Sequence, residues 1–160
     1  ISLGLVGSEM CIRDSYDTYR NKGYSEEWIN QRMKTIEMRK ELTDEWQRSG
    51  VKQGKEYAIL TNEISQAWSG MTTKEYKNFK GLKKENLRDN MSNLELVLNM
   101  LAEVSTTEIS RGSNPQGFEE SKKVARQGGN VARNAREEIE KQSGKSAITS
   151  KTAKDSDQIE

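Results

Sequence analysis

The sequence predicts an all-α protein: a small multi-helix bundle followed by a long C-terminal helix and a disordered tail. Apolar residues recur at helical spacing in several segments, and hydroxyl residues suited to helix capping precede them. No stretch alternates steadily between apolar and polar residues, as a strand would. Leu, Ile, Val and Phe together number only 28 of 160 residues, so we expect a small core.

Composition divides the chain into five segments. Residues 1–15 (ISLGLVGSEMCIRDS) resemble translated sequencing-adapter read-through, and Ile1 stands where a Met would start a complete chain, so we interpret them as a non-native leader. The alternative is a native loop or the stump of a preceding strand. Residues 16–110 are expected to form a helical core region, 111–117 a linker, 118–142 a long basic helix and 143–160 a disordered tail.

The first helices are predicted between residues 25 and 50. Ser25, followed by two glutamates, has the features of a helix N-cap. One face of the helix that follows carries Ile29, Met33 and Ile36. The apolar pattern slips before Leu42, so we expect Thr43 to cap a second short helix that ends near Gly50.

Three more helices are predicted over residues 57–104. The first carries an apolar stripe and is closed by Gly70; the stripe consists of Tyr57, Leu60, Ile64, Trp68 and Met71. Two capping boxes, Thr72 with Glu75 and Ser92 with Glu95, predict the next two helix starts. Residues 94–104 are apolar almost all round, so this segment is expected to be the central helix.

The long C-terminal helix is predicted from residue 118 to residue 141, after a break around Pro115, the single proline. A heptad seam of mostly small residues runs along it: Phe118, Ala125, Ala132 and Ile139, with Ser121, Gly128 and Ala135 three positions further on. Small residues let helix backbones approach closely. We therefore expect this helix to dock on the central helix or on a partner, and the 118–139 seam permits a homodimer.

The composition argues against an enzyme. The chain has no His and one Cys, Cys11, which removes the commonest general base, His-ligated zinc and Cys-rich metal sites. Carboxylates lie in mixed-charge segments typical of solvated helix faces, and no Gly-rich phosphate loop occurs. The apolar run at residues 1–6 is too short to cross a membrane. We expect a non-catalytic, cytoplasmic protein with no cofactor, no metal and no membrane partner.

Two basic clusters are the candidate binding sites. The first mixes cations with aromatic rings, which suits single-stranded nucleic acid; alternatively the rings are core and the lysines only confer solubility. Its candidate residues are Lys74, Tyr76, Lys77, Lys80, Lys83, Lys84 and Arg88, with Phe79 among them. The second cluster has no acid within residues 121–136 and suits a phosphate backbone or an acidic protein groove. Its residues are Lys122, Lys123, Arg126, Arg133 and Arg136.

Three regions of the chain resemble the C-terminal half of the DNA-damage-inducible protein D family. The first comprises residues 23–32 (GYSEEWINQR) and 42–46 (LTDEW), and the second comprises 57–63 (YAILTNE) and 67–71 (AWSGM). The third and most specific spans 76–102 and includes 80–87 (KGLKKENL) and 93–101 (NLELVLNML). Residues 117–124 (GFEESKKV) and the following pair of glycines also fit. The similarity covers about residues 16–155 and identifies no active site.

The resemblance implies a non-enzymatic protein of the bacterial SOS response that acts on RecA filaments on single-stranded DNA and opposes strand exchange. Full-length members of the family also carry an N-terminal BRO-type domain, similar to phage antirepressors, which we expect this chain to lack. An alternative is therefore an antirepressor-like DNA-binding protein, of which this half supports or dimerises the DNA reader. A third interpretation is a helical scaffold whose basic residues only maintain solubility.

Overall fold

A computed structural model describes residues 15–152, and in that range the chain is helical and contains no strand. The helices are α1 (residues 15–21), α2 (Glu26–Arg48), α3 (Lys55–Ser69), α4 (Thr73–Phe79), α5 (Asn93–Ser113) and α6 (Gly117–Ser143), with a 3-10 turn at Arg88–Asn90. The all-α prediction is confirmed. Apart from residue 15, the predicted leader lies outside the described residues. None of the described helices is long and apolar enough to span a membrane.

Helix α2 is one continuous helix, so the predicted break before Leu42 is wrong. Ser25 caps its first turn as expected, but Thr43 lies inside the helix and donates its hydroxyl hydrogen to the Lys40 carbonyl. The buried face continues through polar side chains, among them Arg32 and Thr35. Because these polar residues occupy core-facing positions, the apolar periodicity is interrupted while the helix is not.

The predicted start and stop signals of the next helices are confirmed. Gly70 ends α3 in the left-handed conformation, with φ of 79°. Thr72 and Ser92 each form a complete capping box, at the starts of α4 and α5 respectively. Helix α5 is the central helix, as predicted, because α2, α3 and α6 all pack against it. It runs about nine residues further than the apolar segment, to Ser113.

Helix α6 docks into the groove between α3 and α5 through the small-residue seam. A Cβ added at Gly128 would lie 1.9 Å from Thr106 Oγ1, and one added at Gly129 would lie 2.4 Å from the Cβ of Ala67. Both glycines are therefore needed for the close approach of the three helices. The middle of the seam, from Ser121 to Ala132, is therefore buried within the chain.

The chain after α6 folds back onto the bundle as far as residue 152, which corrects the expected disorder for that part of the tail. Ala147 and Ile148 are buried, and the Ala147 amide donates to the Glu140 carboxylate at 2.9 Å. The carbonyls of Thr149 and Lys151 accept hydrogen bonds from Lys80 at 2.8 and 2.7 Å. Two apolar side chains and one buried cation thus hold a segment whose composition is mostly polar.

Hydrogen bonds from side chains of α1, of the turn after it and of α2 fix the position of the loop between α4 and α5. Asp89 accepts hydrogen bonds from Tyr19 Oη at 2.6 Å and Arg32 Nε at 2.9 Å, while its carbonyl accepts one from Tyr24. Trp28 Nε1 donates to the Met91 carbonyl at 2.8 Å. These contacts fix the loop beside α2 and α5, where it forms one wall of a cleft.

Candidate nucleic-acid surface and basic cleft

Tyr76 and Lys80 belong to the protein core, which corrects their assignment as nucleic-acid contacts. The side chains of Lys80 and Glu95 are fully buried and form an ion pair at 2.9 Å, and the Tyr76 hydroxyl donates to the same carboxylate. Burial, together with the neighbouring Glu95 carboxylate, raises the pKa of Tyr76. Both side chains stabilise the α4–α5 packing and are inaccessible to a nucleic acid.

The accessible part of this cluster forms what we call the α4 basic surface: Lys74, Phe79, Lys83 and Lys84 are exposed, and Lys77 is half-buried. Within residues 15–152 none of these four lysines forms an ion pair. The Phe79 side chain is 46% exposed, so the aromatic ring available for stacking is Phe79 and not Tyr76. Sequence reasoning could not separate the two rings, because residues three apart share one helix face.

The basic stripe on α6 is largely neutralised by acids. Arg126 pairs with Glu63 of α3 at 2.8 Å, and Lys122 lies 3.9 Å from the same carboxylate. Arg133 and Arg136 pair with glutamates one turn further along α6, at 3.0 and 3.6 Å. Of the five predicted residues, only Lys123 is exposed without an ion pair in the described chain. The sequence shows no acid within residues 121–136, but the fold brings Glu63 of α3 and two glutamates beyond residue 136 into contact with the stripe.

A basic cleft of about 370 Å³ lies between α2 and α3, with α5 as its floor and the 86–91 loop as a wall. Its cationic lining consists of Arg32, Arg39, Lys77 and Arg88, and its acidic lining is Glu103 alone. Lys77 joins the cleft to the α4 basic surface. Sequence reasoning selected Lys77 and Arg88 but missed both α2 arginines, which lie in a helix too mixed in charge to stand out.

Two guanidinium groups share one carboxylate oxygen in this cleft. Arg39 and Arg88 both contact Glu103 Oε1, the former at 3.5 Å. Burial lowers the pKa of Arg39, and the charge of Arg88 lowers it further, whereas Glu103 raises it. Arg39 also donates to Thr61 Oγ1 at 2.5 Å and lies 5.0 Å from the centre of the Trp46 ring. Asp89 pairs with Arg32, and Glu103 pairs with the other two arginines, so the cleft keeps an excess of positive charge to which Lys77 contributes.

Two polar atoms of residues that line the cleft have no hydrogen-bond partner within residues 15–152: Asn99 Nδ2 and Glu103 Oε2. Both residues are more than nine-tenths buried. Buried polar groups are almost always paired, so an unpaired donor and an unpaired acceptor in one cleft lining require a further partner, either an ordered water or a bound molecule. In the described part of the chain, no group of three or more Cys, Asp or Glu residues is arranged to hold a metal ion.

The fold and these surfaces define an all-helical domain with an exposed basic and aromatic segment beside a positively charged cleft. The chain belongs to the DinD family, because the model of the DinD C-terminal domain matches residues 29–156. This match confirms the resemblance to DNA-damage-inducible protein D and places the protein among the DNA-damage-inducible proteins. No curated protein and no solved structure matches the chain.

Proposed function

We propose that this protein modulates the SOS response by acting on RecA filaments on single-stranded DNA, where it opposes strand exchange. The observation that carries the proposal is the match to the DinD C-terminal domain over residues 29–156. The contact we assign to the filament is the α4 basic surface.

The α4 basic surface suits single-stranded DNA better than the α6 stripe does. Its lysines form no ion pair in the described chain, although the charge of Lys83 interacts with that of Glu85, so they can neutralise phosphates. Phe79 supplies an exposed ring on which a base can stack, worth about 1–3 kcal/mol. On α6, by contrast, a phosphate must first displace glutamates such as Glu63.

The test compares two triple variants of the 160-residue chain in RecA-catalysed strand exchange between a circular single strand and a linear duplex. One variant changes Lys74, Lys83 and Lys84 to Gln. The matched control changes Lys123, Arg126 and Arg133 to Gln, which removes the same charge from exposed positions on α6. We expect the parent chain and the α6 variant to slow strand exchange, and the α4 variant to have lost most of this effect.

Salt titration of single-stranded DNA binding provides a second readout. Each phosphate contact contributes about 0.7 to the slope of log affinity against log salt for a single strand, so the α4 variant should lose a slope of about 2. A parent chain that leaves strand exchange unchanged refutes the proposal. If that chain instead binds duplex DNA with steep salt dependence, the antirepressor-like alternative is favoured. Equal inhibition by both variants excludes the α4 basic surface as the contact.

A further inference from the structure

We propose that the basic cleft over α5 binds one nucleotide, either a free nucleoside monophosphate or a single unit of a DNA strand. This goes beyond the proposed function, because it assigns a ligand class to a cavity rather than a partner to a surface. The shared chemistry of the two ligands is one phosphate joined to one base. The cleft supplies complementary groups for both parts.

The cations of the cleft are the groups that bind the phosphate in this proposal. Lys77 has no ion pair in the described chain, and Arg88 and Arg39 share a single carboxylate oxygen. A phosphate bound among them relieves the repulsion between the two guanidinium groups and accepts charge-assisted hydrogen bonds from them. These side chains are mostly shielded from solvent, so their attraction for an anion is screened less than at an open surface.

The other residues that line the cleft are the groups that contact the base in this proposal. The partly exposed Ile36 provides apolar surface for a planar ring, and the buried Ile64 and Met91 pack behind the lining. The unpaired Nδ2 of Asn99 is a donor and the unpaired Oε2 of Glu103 is an acceptor, the two kinds of group found along a base edge. A volume of about 370 Å³ lies in the range of small-ligand pockets and admits one nucleotide rather than a folded partner.

The test is calorimetric titration of the 160-residue chain with three probes: the four deoxynucleoside 5′-monophosphates, inorganic phosphate and an eight-nucleotide single strand. Two variants report on the two parts of the site. Lys77→Met removes an unpaired cation, and Asn99→Leu removes the unpaired donor while keeping the number and branching of the side-chain heavy atoms. Lys123→Met, which removes an exposed lysine on α6, is the matched control.

We expect Lys77→Met and Asn99→Leu each to weaken nucleotide binding about tenfold, with no change for Lys123→Met. Asn99→Leu should at the same time keep or raise the melting temperature, because it removes a buried group that has no partner in the free protein. Replacing a residue that had only a structural role would instead lower the melting temperature. This separates lost binding from lost folding.

The three probes distinguish the sources of the ligand. Binding of a monophosphate assigns the cleft to a free nucleotide; binding of the oligonucleotide alone, weakened by Asn99→Leu, assigns it to a unit of a strand. Three results overturn the proposal: no probe binds, binding is unchanged in both variants, or inorganic phosphate binds as tightly as the nucleotides. The titrations contain no RecA, so this inference and the proposed function can fail separately.

Discussion

Replacing Gly128 by alanine should destabilise the protein, although the same change strengthens an isolated helix. Alanine is about 1 kcal/mol more favourable than glycine in a helix interior. In the folded chain, however, the added Cβ would lie 2.6 Å from the backbone nitrogen of Thr106 and 2.7 Å from its Cα. Carbon atoms normally pack at about 3.5–4.0 Å, so α6 must move away from α5 by about 1 Å.

The size of the effect follows from what this displacement disrupts. Overpacking a dense core costs about 1–3 kcal/mol, and a backbone obstacle places Gly128 at the upper end of that range. After the helical gain is subtracted, we expect the free energy of unfolding to fall by about 2 kcal/mol. Removing the Thr106 side chain in a double variant should not restore it, because the obstructing nitrogen and Cα belong to the backbone.

Gly112→Ala is the matched control. Gly112 also lies in a helix, α5, but a Cβ there meets nothing within 4 Å, so this variant should gain about 0.5–1 kcal/mol. Urea unfolding followed by tryptophan fluorescence measures both changes. If Gly128→Ala is as stable as the parent chain while Gly112→Ala gains stability, the result contradicts the close approach of α5 and α6 at Gly128.

Three further predictions concern charged and ionisable groups. Lys80→Met should lower the free energy of unfolding by about 3–5 kcal/mol, because it leaves Glu95 buried without its cation; adding Glu95→Gln should recover much of this loss in the same urea assay. Arg126→Gln breaks an ion pair at the surface and should leave the urea midpoint nearly unchanged, so a large shift would contradict the exposure of that pair. Burial and a carboxylate hydrogen bond raise the pKa of Tyr19 from 10.0 to about 12. Folding therefore strengthens proton binding at Tyr19, and this stabilisation is present below about pH 10 and is lost as the pH rises toward 12. Urea midpoints measured between pH 9 and pH 12 should fall less steeply for Tyr19→Phe than for the parent chain, and parallel curves would exclude Tyr19 as a contributor.

The helix ends were predictable because their signals are local. Both capping boxes and the glycine that closes α3 depend on residues within four positions of each other, and the structure contains all three. The continuity of α2 was not predictable from apolar spacing. The buried Arg32 donates hydrogen bonds to the buried Thr35 hydroxyl and to the Asp89 carboxylate. Asp89 lies in a loop 57 residues further along the chain than Arg32.

The candidate sites were harder to predict because charge pairing is a property of the fold. Lys80 has the same local composition as Lys83 and Lys84, yet only Lys80 meets a buried carboxylate and two carbonyls. Similarly, nothing near Arg126 in the sequence indicates that Glu63 will neutralise it. The cleft combines residues of α2, α3, α4 and α5, so no single segment of sequence carries its signal.

The contact between Lys80 and the segment after α6 has a consequence for the order of events during synthesis. Two of the groups that accept hydrogen bonds from Lys80 lie 69 and 71 residues further along the chain. While the ribosome is still making α6, Lys80 lacks these acceptors and the groove between α3 and α5 is empty. A buried ion pair is costly until its remaining hydrogen bonds are made. The domain therefore reaches its final packing only after residue 151 has been synthesised. The short segment after α6, which supplies the Thr149 and Lys151 carbonyls, completes its folding.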